Sequence, residues 1–306
     1  MDEQRKIERS GILYCVIGAM SWGFSGACSE AFFKYYTVNP SWVTAIRMLL
    51  TGIILMLWVV LKKDFHVMDI IKDARGILEI LAFSLAGLTL CQFAYLNAIR
   101  WTNSGTATVL QNLSVVFVAL FVCISTKSLP QKRIIICILL ALIGVWLIST
   151  GGKPGNMELT SKGLFWGLAA GFGAASYSIL SNKPVARWGS IPVTGMGMLI
   201  GGLVLCFTIQ AWNVPTGLDL RAIILLGIIV FIGTIGAFTL FLQGISMVGP
   251  VKASLLACLE PLTAATLSAF WLHSSFSVTD IIGFACILIT VFLVRDYLDP
   301  LFSKIL

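Results

Sequence analysis

Long apolar runs separated by short polar segments extend over nearly the whole chain. A hydrocarbon core of about 30 Å is crossed by roughly 20 residues of α-helix. Runs of about that length predict ten membrane-spanning helices, at residues 12–33, 42–61, 77–98, 105–125, 134–150, 163–182, 192–212, 222–245, 251–271 and 278–296. The runs do not alternate apolar with polar residues, as the strands of a membrane β-barrel would.

Composition places the chain in a membrane. It is 58% hydrophobic and only 11% charged, with a mean hydropathy of +0.94, and a soluble domain of 306 residues would need more charge to cover its surface. The first run extends to Phe33 without a clear small-x-small cleavage site, so we expect a permanent helix rather than a signal peptide. The sequence therefore predicts an all-α integral protein that crosses the cytoplasmic membrane many times.

The distribution of basic residues predicts the orientation. If the N-terminus faces the cytoplasm, 15 of the 21 Lys and Arg residues lie on the cytoplasmic side, five lie outside, and Arg47 falls within a span. The positive-inside rule then favours a cytoplasmic N-terminus and C-terminus, which agrees with an even number of spans. This bias explains the net charge of +7, so nucleic acid is not an expected partner.

The two halves of the chain align with each other. Gly87 matches Gly233 at an offset of 146 residues, and this register continues without a gap over apolar positions to the end of the fifth span; Pro40 matches Pro192 at an offset of 152. Apolar identities are common in membrane proteins, so the long register and the Gly and Pro matches carry the prediction of a repeat.

The repeat predicts an inverted arrangement of residues 1–150 and 151–306. Each half holds five spans, an odd number, so the second half enters the membrane in the opposite orientation. Secondary transporters use such repeats, with a binding site near the midplane between the halves. A duplicated structural bundle or a channel is the alternative.

Several segments resemble the drug/metabolite transporter superfamily of the EamA type. They are KASLLACLEPLTAATLSAFW in span nine, GAMSWGFSG in span one, NPSWVTAIRMLL in span two, and YLNAIRWTNSGTATVLQNLSVVFVALF across spans three and four. The resemblance implies an integral membrane carrier of small metabolites, often an exporter, driven by an ion gradient or by exchange. Val115 stands where the family often has proline, and a Gly-Glu pair is missing around Ser274.

Glu260 and Pro261 lie side by side near the middle of span nine. A carboxylate at a helix centre costs about 2.5–3.5 kcal/mol on insertion scales, so Glu260 should face the bundle interior or a water-filled cavity. Pro261 has no N–H for the carbonyl of Ala257, so a helix break is expected there. The pair could bind a cation or an ammonium group, or carry a proton; alternatively, Glu260 only fixes the packing by hydrogen bonds.

Arg47 and Glu30 lie at comparable depth in spans two and one. Arginine keeps its proton, so Arg47 must reach the interface, pair with an acid, or bind an anionic group. An ion pair with Glu30, structural or gating, is the favoured hypothesis, although Lys34 competes for Glu30 at i,i+4 spacing.

Aromatic and amide side chains at membrane depth are the remaining candidates for substrate binding. Trp22 is too deep for an interfacial residue, and Tyr177 occupies the related region of span six. Aromatic rings there could stack on a cationic or aromatic substrate, or they could simply pack. The amides are Gln92, Gln111 and Asn112, for which hydrogen bonding between helices is the alternative use.

Motifs for catalysis are not found: the chain has no HExxH, no P-loop and no CxxC pair, and its eight cysteines lie in or beside apolar runs. We therefore expect no enzyme activity, no catalytic residue, no cofactor and no metal.

The favoured function is secondary-active transport of small metabolites such as amino acids or related amines, by alternating access and in the export direction. The expected partners are the lipid bilayer, the substrate, and a coupling proton or exchange substrate, for a monomer or homodimer. The alternative is a non-transport membrane protein, such as a lipid-handling or scaffold subunit.

Overall fold

The structure of the protein is a computed structural model that describes residues 2–62, 70, 73–125, 127 and 132–305. Within these residues the surroundings of side chains are described for 7–249, 253 and 256–293. This part of the chain is helical between its loops and contains no β-strand. The fold class is therefore all-α.

The described residues form ten long helical elements in sequence, and two of these are interrupted. They are α1 (Asp2–Tyr35), α2 (Pro40–Leu61), α3 (Ala74–Trp101), α4 (Ser104–Gln111 and Ser114–Ser125), α5 (Lys132–Thr150), α6 (Ser161–Trp188), α7 (Ser190–Ile209), α8 (Leu220–Gly249), α9 (250–257 and Leu259–Phe270) and α10 (Val278–Ile305).

Eight of these elements, α1 to α8, are long and apolar enough to cross a membrane. Within α10, the stretch Val278–Leu293 is apolar but shorter. The break in α9 divides it into two pieces, each too short to span a bilayer alone. The protein is thus a multi-helix membrane protein, and the count of exactly ten spans stays a prediction.

Polar caps begin several helices. Asn39 accepts a hydrogen bond from the backbone of Ser41 ahead of Pro40, the first residue of α2. Asn103 caps α4 by accepting from the backbone N–H of Thr106. Such caps satisfy donors that the first turn of a helix leaves free, so the polar residues between the apolar runs fix where the helices start.

Loops that the charge distribution places outside the cell meet at one end of the bundle, which we call the outer end. There the indole of Trp42 donates to the carbonyl of Ala211 at 2.9 Å, and Lys34 donates to the carbonyl of Leu272 at 2.6 Å. At the opposite, inner end, Arg187 lies 3.6 Å from Glu79. These contacts define two opposite ends of the bundle.

The halves pack against each other in related pairs. Helix α1 packs against α8 and α9, and α6, its counterpart in the second half, packs against α3 and α4. Helix α2 packs on α7, and α5 packs on α10. Exchanging the two halves reproduces this set of pairs. The inverted repeat remains a prediction, and this pattern of contacts supports it.

Irregular backbone recurs at the repeat offset. A π-helical stretch lies at Phe83–Thr89 in α3 and another at Ile228–Gly236 in α8. The helical path of α4 is interrupted at Asn112 and that of α9 at Cys258, positions 146 residues apart. Local departures of this kind often mark functional positions in helices.

The break in α4 corrects a sequence-based expectation. Proline at 261 predicts a break in α9 only, because Val115 is the aligned residue in α4. In α4, however, Asn112 donates its side-chain amide to the carbonyl of Thr108 at 2.8 Å, and Leu113 donates its N–H to Leu110 in a tighter turn. A side chain that competes for backbone carbonyls replaces the effect of proline there.

Candidate functional site

A cavity of about 240 Å³ lies where the irregular segments of α3, α4 and α9 meet. Its lining combines two charged side chains, several amides and hydroxyls, and aromatic rings. The lining residues are Trp22, Ser25, Arg47, Leu88, Cys91, Gln92, Tyr95, Gln111, Asn112, Ser114, Ala174, Tyr177, Ser178, Phe238 and Glu260.

All six residues that the sequence predicts to contact substrate line this one cavity. They are Trp22, Gln92, Gln111, Asn112, Tyr177 and Glu260. Arg47 joins them, whereas Glu30 and Pro261 are not part of the lining. These seven residues come from six different helices and from both halves of the chain, and they converge on a single space.

Glu260 follows the break at Cys258, close to the start of the second segment of α9. The break agrees with the lack of an N–H on Pro261, which leaves the carbonyl of Ala257 without its helical donor. Helix α1 approaches closely here, because a side chain on Gly23 would collide with the backbone oxygen of Glu260. Within the described part of the chain, the Glu260 carboxylate makes no hydrogen bond or ion pair, so the packing interpretation lacks its expected partner.

Arg47 is only 4% exposed, and within the described part of the chain one hydrogen bond holds its side chain. Its Nε donates to the hydroxyl of Thr234 at 2.8 Å. Thr234 lies in the π-helical stretch of α8, where its hydroxyl in turn donates to the carbonyl of Ile229 at 2.8 Å. The irregular backbone of α8 therefore positions the group that orients the guanidinium.

The predicted ion pair between Glu30 and Arg47 does not form in the structure. Glu30 accepts hydrogen bonds instead from the N–H and hydroxyl of Ser104, at 2.8 and 2.7 Å, and from the hydroxyls of Ser268 and Ser274, at 3.0 and 2.7 Å. Lys34, the expected competitor, donates to Leu272. The reason is direction: Glu30 points toward α4 and α9, whereas Arg47 points toward α8 and the cavity.

Glu30 and its partners tie the outer segments of α4 and α9 together. Ser104 begins α4, Ser268 lies in the last turns of α9, and Ser274 follows in the next loop. Close to this cluster, a side chain on Gly105 would meet the backbone of Ala265 at 2.8 Å. Residues 104–110 are all buried, whereas Gln111, the first cavity residue along α4, is partly exposed.

Aromatic rings form one wall of the cavity. The ring of Trp22 lies 5.1 Å from that of Phe238 and 4.8 Å from that of Phe241. Tyr177 lies 5.5 Å from Phe83. These edge-to-face and tilted pairs fix the rings. Trp22 therefore both packs against α8 and presents a face to the cavity.

The amide groups differ in their partners. The side-chain amide of Gln111 donates to the sulfur of Cys91 at 3.2 Å, which joins α4 to α3. The side-chain amide of Asn112 donates to the carbonyl of Thr108 within α4. Gln92 is buried but makes no hydrogen bond within the described residues. Gln111 thus combines the bridging role and the cavity position that the sequence left as alternatives.

Tyr95 is a cavity residue that the sequence analysis missed. Its hydroxyl is hydrogen-bonded to that of Thr108 at 2.9 Å, so it connects α3 to the outer segment of α4. Tyr95 follows Gln92 by three residues, and that helical spacing would have placed it on the same face. The sequence analysis did not select Tyr95 because its side chain is largely an aromatic ring and it lies within an apolar run.

Metal chemistry has no evident site in the described residues, which contain no cluster of three or more His, Cys, Asp and Glu side chains. None of the eight cysteines forms a disulfide in the described structure, and seven are buried.

The helices and the central polar cavity define the class of the molecule as a multi-pass membrane protein with an internal binding space. Comparison with protein families matches residues 9–150 and again residues 161–295 to the EamA-like transporter family. The chain therefore belongs to the EamA-like transporter family, and it is a membrane transporter.

Relatives match over nearly the whole chain. A Salmonella typhimurium protein named "Uncharacterized inner membrane transporter YicL" is 34% identical over 286 residues, which cover 94% of this chain and 95% of the relative. "Uncharacterized transporter YwfM" of Bacillus subtilis is 25% identical, with 90% of each chain covered. A crystal structure that covers 98% of this chain has a TM-score of 0.56 at 16% identity, which shows the fold alone.

Proposed function

We propose that the protein is a secondary-active transporter in the cytoplasmic membrane that exports small metabolites, with amino acids or related amines as substrates. It works by alternating access between the two halves, 1–150 and 151–306. The observation that carries the proposal is the cavity itself, because six sequence-predicted binding residues and Arg47 surround one space between both halves.

The paired irregularities support an inverted repeat. The breaks in α4 and α9 lie 146 residues apart, and the family match falls once in each half. Interrupted helices at a repeat interface are a common way to expose backbone polar groups to substrate inside a membrane. The relative from Salmonella is named as an inner membrane protein, which suits the predicted location.

We assign the structure to a state of the proposed cycle that is closed toward the outer end. The Glu30 cluster and the contact of Gly105 with Ala265 hold the outer segments of α4 and α9 together. Cavity residues nearer the inner end, such as Ser114 and Ser178, are partly exposed. An exporter in this state would take up its substrate from the cytoplasm.

Glu260 is the proposed centre of binding or coupling. Its carboxylate has no partner within the described residues, so it is free to accept an ammonium group or a proton. Carboxylates at such depth in transporters often belong to substrate or proton pathways. A non-transport membrane protein would have little use for an unpaired acid inside a polar cavity, so the cavity favours the transporter.

Reconstitution tests the proposal. The purified protein in proteoliposomes should take up labelled amino acids or amines that stabilise it against thermal unfolding. Glu260→Gln should reduce transport at least tenfold and alter its dependence on pH. Glu158→Gln, which changes an exposed acid in the loop between α5 and α6, is the matched control. Transport that is unchanged by Glu260→Gln would contradict the role of Glu260.

A further inference from the structure

The guanidinium of Arg47 is a buried positive charge with an incomplete set of partners. Its Nε is bonded to Thr234, but its terminal nitrogen Nη1 is shielded from solvent and has no hydrogen-bond partner in the structure. Arginine does not lose its proton in proteins, so this charge cannot be removed by titration. A buried charge left without a partner is strongly unfavourable, which indicates a group that binds there in the working protein.

Arg47 and Glu260 line the same cavity without touching each other. Both residues are described by the structure, and no ion pair joins them. The other lining residues, Tyr95 and Cys91 among them, bring no formal negative charge in their ordinary forms. The lining therefore contains one positively charged and one negatively charged side chain.

A molecule that carries both a carboxylate and an ammonium group matches this arrangement. Guanidinium binds carboxylate through two parallel N–H donors. Because Nε of Arg47 is bonded to Thr234, the terminal nitrogens are the donors for such a group, and Nη1, which is shielded here, would turn toward the cavity on binding. Glu260 would accept from the ammonium group. The rings of Trp22, Tyr177 and Phe238 would then face the remainder of the molecule.

We propose that Arg47 is the specificity-determining residue of the cavity, where it binds the carboxylate of a zwitterionic substrate and so selects amino acids over the corresponding amines. The proposal rests on the transport function proposed above and narrows its substrate class. Thr234 is a positioning residue in this scheme, because it orients Arg47 through Nε.

Binding of matched ligand pairs tests the selection. The full-length protein in detergent would be titrated with alanine and ethylamine, phenylalanine and phenethylamine, and lysine and cadaverine, together with 3-phenylpropionate. At least one amino acid should bind tenfold or more tightly than its amine. For the phenylalanine series, 3-phenylpropionate should also bind less tightly than the amino acid.

Variants then assign the effect to Arg47. Arg47→Gln should abolish the preference for the amino acid by weakening its binding at least tenfold while leaving the affinity for the amine within about threefold. Glu260→Gln should instead weaken the amine and the amino acid alike. Thr234→Val should reduce the preference partly, and Arg47→Lys should restore some of it relative to Arg47→Gln.

The outcomes separate the two proposals. Equal binding of an amino acid and its amine by the unmodified protein would overturn the role of Arg47 while leaving transport of amines intact, and this result does not depend on any variant folding. A preference that survives Arg47→Gln would also overturn it. If no compound in the panel binds, the proposed substrate class itself is wrong, and the inference about Arg47 is overturned with it.

Discussion

Glu30 of α1 accepts hydrogen bonds from both the backbone N–H and the hydroxyl of Ser104, at 2.8 and 2.7 Å. Ser104 is the first residue of α4, so the carboxylate lies at the positive end of that helix. The same carboxylate accepts from Ser268 and Ser274. One side chain thereby connects α1, the start of α4 and the outer end of α9.

Removing this acceptor should loosen the outer end. Glu30→Gln replaces one carboxylate oxygen with an amide NH₂ that cannot accept, so at least one of the four donors loses its partner. Hydrogen bonds to charged groups contribute about 1.5–3 kcal/mol, and we expect a loss of stability in that range. The measurement is thermal unfolding in detergent, with Glu158→Gln as control.

The same variant should also open the cavity to the outside. Cys91 lines the cavity and provides a native reporter. In intact cells, a membrane-impermeant maleimide should label Cys91 faster in Glu30→Gln than in the unmodified protein, and Cys91→Ser should remove this increase. Equal labelling rates would show that the Glu30 cluster does not control access.

Gly23 of α1 packs directly against the break in α9. A Cβ there would collide with the carbonyl oxygen of Glu260 and would lie 2.7 Å from the side chain of Thr263. Gly23→Ala should therefore displace Glu260 and destabilise the protein by about 1–3 kcal/mol through overpacking. Both the unfolding temperature and the affinity for ligand should fall.

Gly227 offers a matched control for that substitution. It also lies in a membrane helix, but a Cβ there meets nothing within 4 Å. Gly227→Ala should be neutral, or stabilising by up to about 1 kcal/mol, because alanine favours helix. Similar losses from both variants would mean that the close approach of Gly23 to Glu260 is not the cause.

Depth in the membrane was the most useful information that the sequence carried. Trp22, Gln111 and Glu260 are each too polar or too deep for a lipid-facing site, and the structure brings them to one cavity. Membrane depth can be counted from the ends of an apolar run, so residues at similar depth are natural candidates for a shared site.

Direction around the helix axis could not be counted in the same way. Glu30 and Arg47 have similar depth, yet they face different neighbours, and the expected ion pair is absent. Periodicity fixes direction only when polar and apolar faces differ, and α1 and α2 are apolar on most sides. The break at Asn112 was hidden for another reason, since it depends on a side-chain hydrogen bond rather than on proline.

Tyr95 and Thr108 link α3 to the outer segment of α4 through their hydroxyls, 2.9 Å apart. Tyr95→Phe and Thr108→Val should each destabilise the protein by about 0.5–1.5 kcal/mol. The double variant should cost less than the sum of the two, because both single changes remove the same hydrogen bond. Thermal unfolding of the four proteins forms the cycle, and strict additivity would show that the hydroxyls do not interact.

A pH-dependent contact lies outside the membrane-spanning segments, where the hydroxyl of Tyr36 donates to the carboxylate of Asp219. This hydrogen bond lowers the pKa of Asp219 below its ordinary value of 3.8 and raises the pKa of Tyr36 above 10.0. The depressed pKa of Asp219 stabilises the fold at pH values above the pKa of the unfolded state. That stabilisation is lost as the pH falls through the pKa of the folded state. The raised pKa of Tyr36 stabilises the fold at pH values below the pKa of the unfolded state. That stabilisation is lost as the pH rises through the pKa of the folded state.

Tyr36→Phe should therefore lower the unfolding temperature between about pH 5 and pH 9, and the difference from the unmodified protein should shrink toward both pH 3 and pH 11. Asp219 also caps α8 by accepting from the N–H of Ala222 at 2.9 Å, so changing Tyr36 isolates the contact better than changing Asp219. Tyr35→Phe is the control, because the ring of Tyr35 is engaged by Arg221 and its hydroxyl has no hydrogen bond in the described structure. The expected change in unfolding temperature is small, because both partners are exposed to solvent. A difference between Tyr36→Phe and the unmodified protein that stays constant from pH 3 to pH 11 would show that the hydrogen bond to Asp219 does not contribute to stability.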